Sequence, residues 1–332
     1  MLKAGIIGLG VGEAHIAGYH SHPDCKVVAL CDFNEDVLKQ MGRKYPGMKV
    51  TPHPDEILED PSINVVSIAS YDNFHHEQII KAIQHGKHIF VEKPICIYEE
   101  EAVDIRKHLQ KHPGIKISSN LILRKSPRFK LLKSMIDEGK FGNLFYMEGD
   151  YNYGRIHKIV SGWRGKIDFY SGVYGGGVHL VDLFLWLSGG RVEEVSAYGN
   201  NIASAGTGFK YNDLVASILR FENGMLGKMA VNLGCVFPHF HPFSIYGTKA
   251  SFVNGLKQGL LWESRDPAVD PKPIEAAYPG IHKGDLVHNF IEAIIHNTEP
   301  EVGVDDLFRC MSVCFAIEKA SRTEKAVKVT YI

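Results

Sequence analysis

Three groups of residues in this chain have the types and spacing to do chemistry. Glu92-Lys93-Pro94 follows the apolar run Lys87-His88-Ile89-Phe90-Val91. That run comes after a helix-like segment closing on Gly86 and reads as a buried parallel strand. A lysine at the carboxyl end of such a strand faces the crevice where open α/β sheets bind ligands. Partial burial there lowers an amine's pKa towards the range of acid–base work. The same string also fits a plain strand end with a solvated Glu-Lys pair and a turn proline. The second group is His179, near the start of a helix-like stretch at 178–187, with Asp182 three residues on and so on the same helical face. After Gly175-Gly176-Gly177 an imidazole can approach a bound molecule closely, and a neighbouring carboxylate can fix its tautomer. The alternative is a structural histidine at a helix start. The third group is Gly8-Leu9-Gly10-Val11-Gly12-Glu13, directly after a strand at 3–7. Gly8 and Gly10, with Val11 and Gly12, suit a tight turn that brings backbone close to a pyrophosphate at a helix N-terminus. The strict GxGxxG spacing fails, because position 13 is Glu, and the loop is one residue shorter than that template.

Further signals lie along the same predicted sheet edge. Asp32 ends the second strand, 24 residues after Gly8, where a carboxylate can accept both ribose hydroxyls of an adenosine and repel a 2′-phosphate. The nearest following arginine is Arg43, inside the next helix, so NAD is the expected cofactor rather than NADP. A cap on the helix at 34–45 is the other use for Asp32. Ser70 opens a strand-to-helix turn that runs to Glu77; His75 within it suits either a nicotinamide contact or a polar place in the helix's first turn. Asn120, Arg124, Tyr153, Arg155, His157, Lys158, Trp163 and Arg164 are candidates to line a polar pocket for a hydroxylated substrate, together with His179. His239 and His241 invite a metal, but prolines at 238 and 242 bracket them and no carboxylate spacing accompanies them, so no metal is expected.

The elements that must position these groups change character along the chain. Up to about residue 120, short apolar runs at 3–7, 26–31, near 50, 63–69, 88–91 and 115–118 alternate with helical stretches near 12–20, 35–45, 74–85 and 98–111. This is the βαβ pattern of a doubly wound parallel sheet, a Rossmann arrangement. The alternation then stops. A helix near 127–138 is followed by a strand at 143–153, a glycine-rich aromatic stretch, and strands at 192–202, 213–221, 225–233, 243–246, 250–253 and 259–262. Glu222-Asn223-Gly224 signals a hairpin. Helices near 285–296 and 304–321 close the chain. The expectation is α/β: a dinucleotide-binding domain over 1–120, then an α+β domain over 121–332 with a predominantly antiparallel open sheet. One face of that sheet lacks helices to cover it, which predicts a homodimer or homotetramer.

Composition narrows the class of function. The chain has 332 residues, too many for one ordinary core, and 45% hydrophobic with 23% charged residues is ordinary for globular proteins. A net charge of −1 gives no electrostatic case for nucleic acid or an anionic membrane. No apolar stretch approaches the roughly 20 residues of a membrane span. The N-terminus runs into a strand without the pattern of a signal peptide, and six scattered cysteines form neither a disulfide framework nor a CxxC pair. A cytoplasmic protein acting on a small molecule is the expectation.

Gly8/Gly10, Asp32, the His-containing turn and Glu92-Lys93-Pro94, in this order and spacing, resemble the Gfo/Idh/MocA family of dinucleotide-dependent oxidoreductases. The likeness continues in Gly139-Lys140-Phe141-Gly142-Asn143, Trp163-Arg164, the stretch 175–182 and Ile245-Tyr246-Gly247-Thr248-Lys249, and so covers nearly the whole chain. The resemblance implies that Lys93 lies beside the nicotinamide ribose and the reacting hydroxyl, and that His179 is the proton acceptor. It implies an NAD-dependent oxidoreductase acting on a secondary hydroxyl or ketone of a sugar, a sugar derivative such as a nucleotide sugar, or a cyclic polyol. Glycoside cleavage through transient oxidation, and a non-catalytic sensor of the same fold, are also implied by it. Two departures stand out: the family's Asp four residues before the histidine is Gly175 here, and its common Thr-Pro-Asn turn reads Ser70-Tyr71-Asp72.

Overall fold

The computed structural model describes residues 1–332 and divides them into two compact units. The first is built on six parallel strands: β1 (Leu2–Ile7), β2 (Cys25–Cys31), β3 (Lys49–Thr51), β4 (Val65–Ile68), β5 (His88–Val91) and β6 (Ile117–Ser119). Their order is β3-β2-β1-β4-β5-β6, the doubly wound order in which the chain reverses direction between β1 and β4. Residues buried on both faces make these strands short continuous apolar runs: every residue of β4 is buried. The helices between them are α1 (Leu9–His20), α2 (Glu35–Lys44), α3 (Asp55–Leu58), α4 (His75–Gln84) and α5 (Glu99–Lys111). The α2 N-terminus is capped by Asn34, whose Oδ1 accepts from the N–H groups of Asp36 and Val37. Asp32 is therefore left for another purpose.

The second unit contains α6 (Pro127–Asp137), β7 (Leu144–Asn152), α7 (Ile156–Val160) and α8 (Val178–Ser188). It continues with β8 (Val192–Asn200), β9 (Leu214–Phe221), β10 (Leu226–Asn232), β11 (Phe243–Gly247), β12 (Ser251–Asn254), β13 (Gly259–Trp262) and β14 (Lys272–Ile274). Two further helices, α9 (Asp285–Ile295) and α10 (Val304–Thr323), precede a short final strand, β15 (Val327–Lys328). The nine strands form one sheet in the order β14-β13-β12-β11-β7-β10-β9-β8-β15. All pairings are antiparallel except β7 with β10. The β9–β10 hairpin turns through Asn223-Gly224, where Gly224 takes φ +84°, a conformation costly for any residue with a Cβ. Burial alternates along β9, with Val215, Ser217, Leu219 and Phe221 facing inward. The opposite face leaves Tyr198, Ile218 and Leu226 exposed. On the inner face Phe184 of α8 packs against Phe243 of β11, ring centroids 5.5 Å apart.

The division of the chain differs from a single cut after residue 120. The first unit comprises residues 1–122 and also 281–309, while the second takes 123–280 and 310–331. The physical cause is α9, which packs on α1 at a glycine–glycine contact: a Cβ on Gly18 would lie 2.4 Å from the carbonyl oxygen of Gly284. Phe290 of α9 meets Phe90 of β5 at 5.7 Å, both fully buried. Nothing in the periodicity of 285–296 says which core it completes. All six cysteines are free thiols, and no helix is long and apolar enough to cross a membrane.

Candidate active site

At the dinucleotide end of the first unit, Gly8 has φ +87°, and a Cβ there would sit 2.2 Å from the carbonyl oxygen of Ala69. The turn between β1 and α1 thus lies directly on the end of β4. Gly12 is packed as well: a Cβ would approach Ile6 Cγ2 to 2.8 Å and Ala69 Cβ to 3.2 Å. It does the helix-to-sheet packing of the template's third glycine, one residue early. Gly10 differs, since a Cβ would meet nothing within 4 Å, and the residue is exposed. Its bareness serves no contact inside the protein, which leaves backbone open to an approaching ligand. Val11 is half-buried beside it.

Asp32 is buried and spans this turn. Its Oδ2 accepts the N–H of Leu9 at 2.8 Å and its Oδ1 the N–H of Asn34 at 2.9 Å. Each oxygen has one of its acceptor positions filled by main chain, so the carboxylate is oriented yet can still accept from a pair of hydroxyls. Next to it Phe33, exposed, meets Tyr71 edge-on at 5.5 Å. A glycine turn at a helix N-terminus with an oriented carboxylate beside it fits NAD.

Ser70 lies against the glycine turn, since a Cβ on Gly8 would fall 2.6 Å from its backbone nitrogen, whereas His75 is sealed in the interior. Ser70 donates its hydroxyl to Gln78 Oε1 at 2.8 Å. His75 is fully buried, with Nδ1 2.7 Å from the carbonyl oxygen of Pro94 and Nε2 3.2 Å from that of Ser70. An imidazole sealed in this way ties the Ser70 turn to the segment after Lys93 and has no edge for a nicotinamide.

Glu92 is held by His15, which the sequence did not flag, and by Asn120, which it assigned to substrate. Its Oε1 accepts from His15 Nε2 at 3.1 Å and from Asn120 Nδ2 at 2.8 Å. Burial opposes its ionisation, but the bond from His15 and its charge, then the nearby Lys93 charge and the bond from Asn120, outweigh it, so the carboxyl stays well below the usual carboxylate range. An ionised Glu92 only accepts, so His15 carries a proton on Nε2, and its Nδ1 lies 2.9 Å from Ser67 Oγ. Ser67 in turn accepts from Tyr19 at 3.2 Å. The result is a hydrogen-bonded chain, Tyr19–Ser67–His15–Glu92, that ends on the residue before Lys93. The available signal was a histidine and a tyrosine four apart on the sheet-facing side of α1, opposite a serine within an otherwise apolar β4. Asn120 was expected to touch substrate. Its amide instead donates to Glu92 and to the carbonyl oxygen of Lys283, leaving Oδ1 as the atom with no protein partner.

In the second unit the main surprise is Asp182. Arg124 Nε donates to both its oxygens, at 3.1 and 3.0 Å, and Arg124 Nη2 to Oδ1 at 2.6 Å. The side chains are 4% and 2% exposed, so the guanidinium fork and the carboxylate neutralise each other away from water. Arg124 also lies over the Trp186 ring at 5.8 Å. This recasts two expectations: Arg124 is not a pocket wall awaiting substrate, and the acceptors of Asp182 go first to Arg124.

His179 is the second residue of α8 and is 8% exposed. The glycines before it form a single wide π-type turn at Val173–Gly177. They answer packing needs rather than substrate approach: a Cβ on Gly175 would fall 2.4 Å from Tyr170 Oη, on Gly176 2.3 Å from Tyr151 Cε1, and on Gly177 2.7 Å from Val231 Cγ2. Tyr170 therefore occupies the space in which an Asp at 175 would stand. The other pocket candidates pair off as cations over rings, Arg155 with Tyr153 and Arg164 with Trp163, both at 4.5 Å. His157 and Lys158 are exposed on α7. Tyr151 and Tyr153 stack at 6.1 Å, with His239 and His241 each at 5.3 Å from Tyr151. Burial, then the neighbouring His239, pulls His241 down to about 3, so it is a neutral member of an aromatic cluster.

Residues 2–119 match the profile of an oxidoreductase family with an NAD-binding Rossmann fold, and residues 129–253 match the GFO/IDH/MocA C-terminal domain. The chain is 26% identical over 258 residues to myo-inositol 2-dehydrogenase of Thermotoga maritima, covering 75% of this chain and 73% of that protein. It is 25% identical over 253 residues to 2,7-anhydro-N-acetylneuraminate hydratase of Escherichia coli, covering 76% and 67%. Among solved structures, levoglucosan dehydrogenase in complex with NADH and L-sorbose superposes with a TM-score of 0.88 at 23% identity, over 100% of this chain and 99% of that one.

Proposed function

The chain belongs to the Gfo/Idh/MocA family of NAD-binding oxidoreductases, and on that footing we propose that it oxidises a secondary hydroxyl of a sugar, a sugar derivative or a cyclic polyol. The names of relatives such as the inositol dehydrogenase support the substrate class. The observation that carries the reading is the partly buried, ionised Glu92, pinned by His15 and Asn120, because it fixes the peptide that presents Lys93. Bound NAD supplies a hydride acceptor at its nicotinamide. His179 takes the hydroxyl proton, and its place in the first turn of α8 keeps the imidazole on a rigid element. Lys93 steadies the negative charge that develops on the substrate oxygen. Asp32 and the Gly8–Gly12 turn hold the adenosine and pyrophosphate ends. Asp182 contributes through Arg124, by anchoring the middle of the α8 first turns.

A screen of inositols, anhydrosugars and nucleotide sugars with NAD tests this, with NADH absorbance as the signal. At least one compound should reduce NAD, and His179→Ala, shown folded and saturated with cofactor, should lose roughly 10²–10⁴ in turnover. Turnover within a factor of a few of wild type would make His179 structural. The hydratase relative favours one second reading, in which oxidation is transient and NAD is regenerated in each cycle. It is distinguished by product that appears without accumulating NADH.

A further inference from the structure

Away from the glycine turn, at the other end of α1, three histidines converge on one carboxylate. Glu292 of α9 has Oε1 2.8 Å from His22 Nε2 and 3.8 Å from His288 Nε2, while its Oε2 lies 3.1 Å from His296 Nε2. His22 stands on the turn after α1; His288, Glu292 and His296 are spaced four apart along α9 and its end. One donor atom from each of His22, His288 and Glu292 falls within 4.8 Å of the others. We propose that this cluster is a binding site for a divalent transition-metal ion, with Zn²⁺ the best match. Tetrahedral Zn²⁺ with bonds of about 2.0–2.1 Å places its donor atoms about 3.3–3.4 Å apart, between the 2.8 and 3.8 Å separations at Glu292. Two imidazoles and a carboxylate suit zinc and its neighbours, whereas Mg²⁺ and Ca²⁺ want oxygen.

The hydrogen bonds around the cluster orient its rings. Ser21 gives its hydroxyl proton to the carbonyl oxygen of Gly18 at 2.7 Å and contacts His288 Nδ1 at 2.9 Å. With its only proton used, Ser21 must accept there, so His288 carries its proton on Nδ1. In its neutral form His288 therefore turns the bare lone pair of Nε2 towards a carboxylate oxygen, two acceptors face to face. A cation between them resolves this arrangement, and an outer N–H donated to an oxygen is the usual second contact of a metal-bound histidine. His22 pays a small penalty for joining. Its Nδ1 accepts the N–H of Asp24 at 3.1 Å, so binding through Nε2 moves the ring proton to Nδ1 and turns that N–H, on an exposed residue, to water. His296 or water completes the shell. The bound ion would clamp the C-terminal end of α1 to α9.

Calorimetric titration of the full-length protein, stripped with chelator, with ZnCl₂ alone tests the site. One ion per chain should bind with Kd on the order of micromolar or tighter. Glu292→Gln and His288→Ala should each weaken binding tenfold or more. Both positions lie at the surface, so the variants should keep the metal-free Tm of wild type, and Zn²⁺ should raise Tm only in wild type. His239→Ala, which alters the aromatic cluster of the second unit, should bind as wild type does. No saturable binding, unchanged binding in both cluster variants, or loss of binding in His239→Ala would each overturn the assignment.

Discussion

Asp182, buried, and Glu92, partly buried, are carboxylates, one in each unit, kept charged by different means. Asp182 meets a full positive charge in a bidentate fork, with both partners almost wholly buried. Glu92 meets an imidazole N–H and an amide on a single oxygen, and its side chain is 12% exposed. The first arrangement is a lock: neither charge tolerates the loss of the other. The second is graded, because each donor contributes separately and Lys93 next in sequence adds its charge through space. The lesson is that a carboxylate near a presumed reacting group serves either to fix a scaffold or to tune a neighbour, and the identity of its partners decides which.

The largest expected effect tests the lock. Arg124→Met leaves Asp182 as an uncompensated buried charge and should cost about 3–5 kcal/mol of unfolding free energy in denaturant titrations. Arg124→Met combined with Asp182→Leu should recover most of that loss. A double variant no better than the single one would mean that the pair has further essential partners.

A smaller effect should come from the graded site. His15→Gln removes one of two bonds to Glu92 and should lower stability by about 1.5–3 kcal/mol, the range for a hydrogen bond to a charged group. The pH dependence carries a sign. The folded-state pKa of Glu92 is depressed, so its contribution is complete above the ordinary carboxylate value of about 4.3 and is lost as pH falls below it. Stability curves of wild type and Glu92→Gln should therefore converge on acidification from neutral pH. Curves that stay parallel would show that Glu92 is not held ionised.

The smallest effect belongs to Asp32, which is oriented by main-chain donors alone. NAD should bind tighter than NADP by about tenfold, or 1.4 kcal/mol, and Asp32→Ser should erase the difference. Equal affinities in the wild type would remove the ribose from the role of Asp32.

Much of the first unit can be read from its residues, because short β-rich runs alternating with amphipathic helices allow few arrangements. His88–Val91 is a strand as the apolar run suggests, and Gly8, Gly12 and Asp32 meet at one turn. Periodicity tells which face of an element is buried but not what it is buried against. His15 and Glu92 are 77 positions apart and Arg124 and Asp182 are 58 apart, and nothing local to any of them names its partner. Gly175 shows the same limit: its lack of a side chain makes sense only beside Tyr170, which arrives from outside the turn. The role of α9 in the first core is equally non-local, since it rests on Gly284 meeting Gly18.

That return of the chain bears on the order in which the protein can fold as it is made. When residue 122 is synthesised, all six parallel strands exist, but the α9 side of α1 and Phe90 is still bare. At about 5–20 residues per second, the missing stretch of 281–309 follows only after on the order of 10–30 s. The second unit waits as well, for 310–331. Neither core can close behind the ribosome while the other is being made. Both are completed only by residues 281–331, so a nascent molecule carries two unfinished hydrophobic surfaces until those residues have emerged.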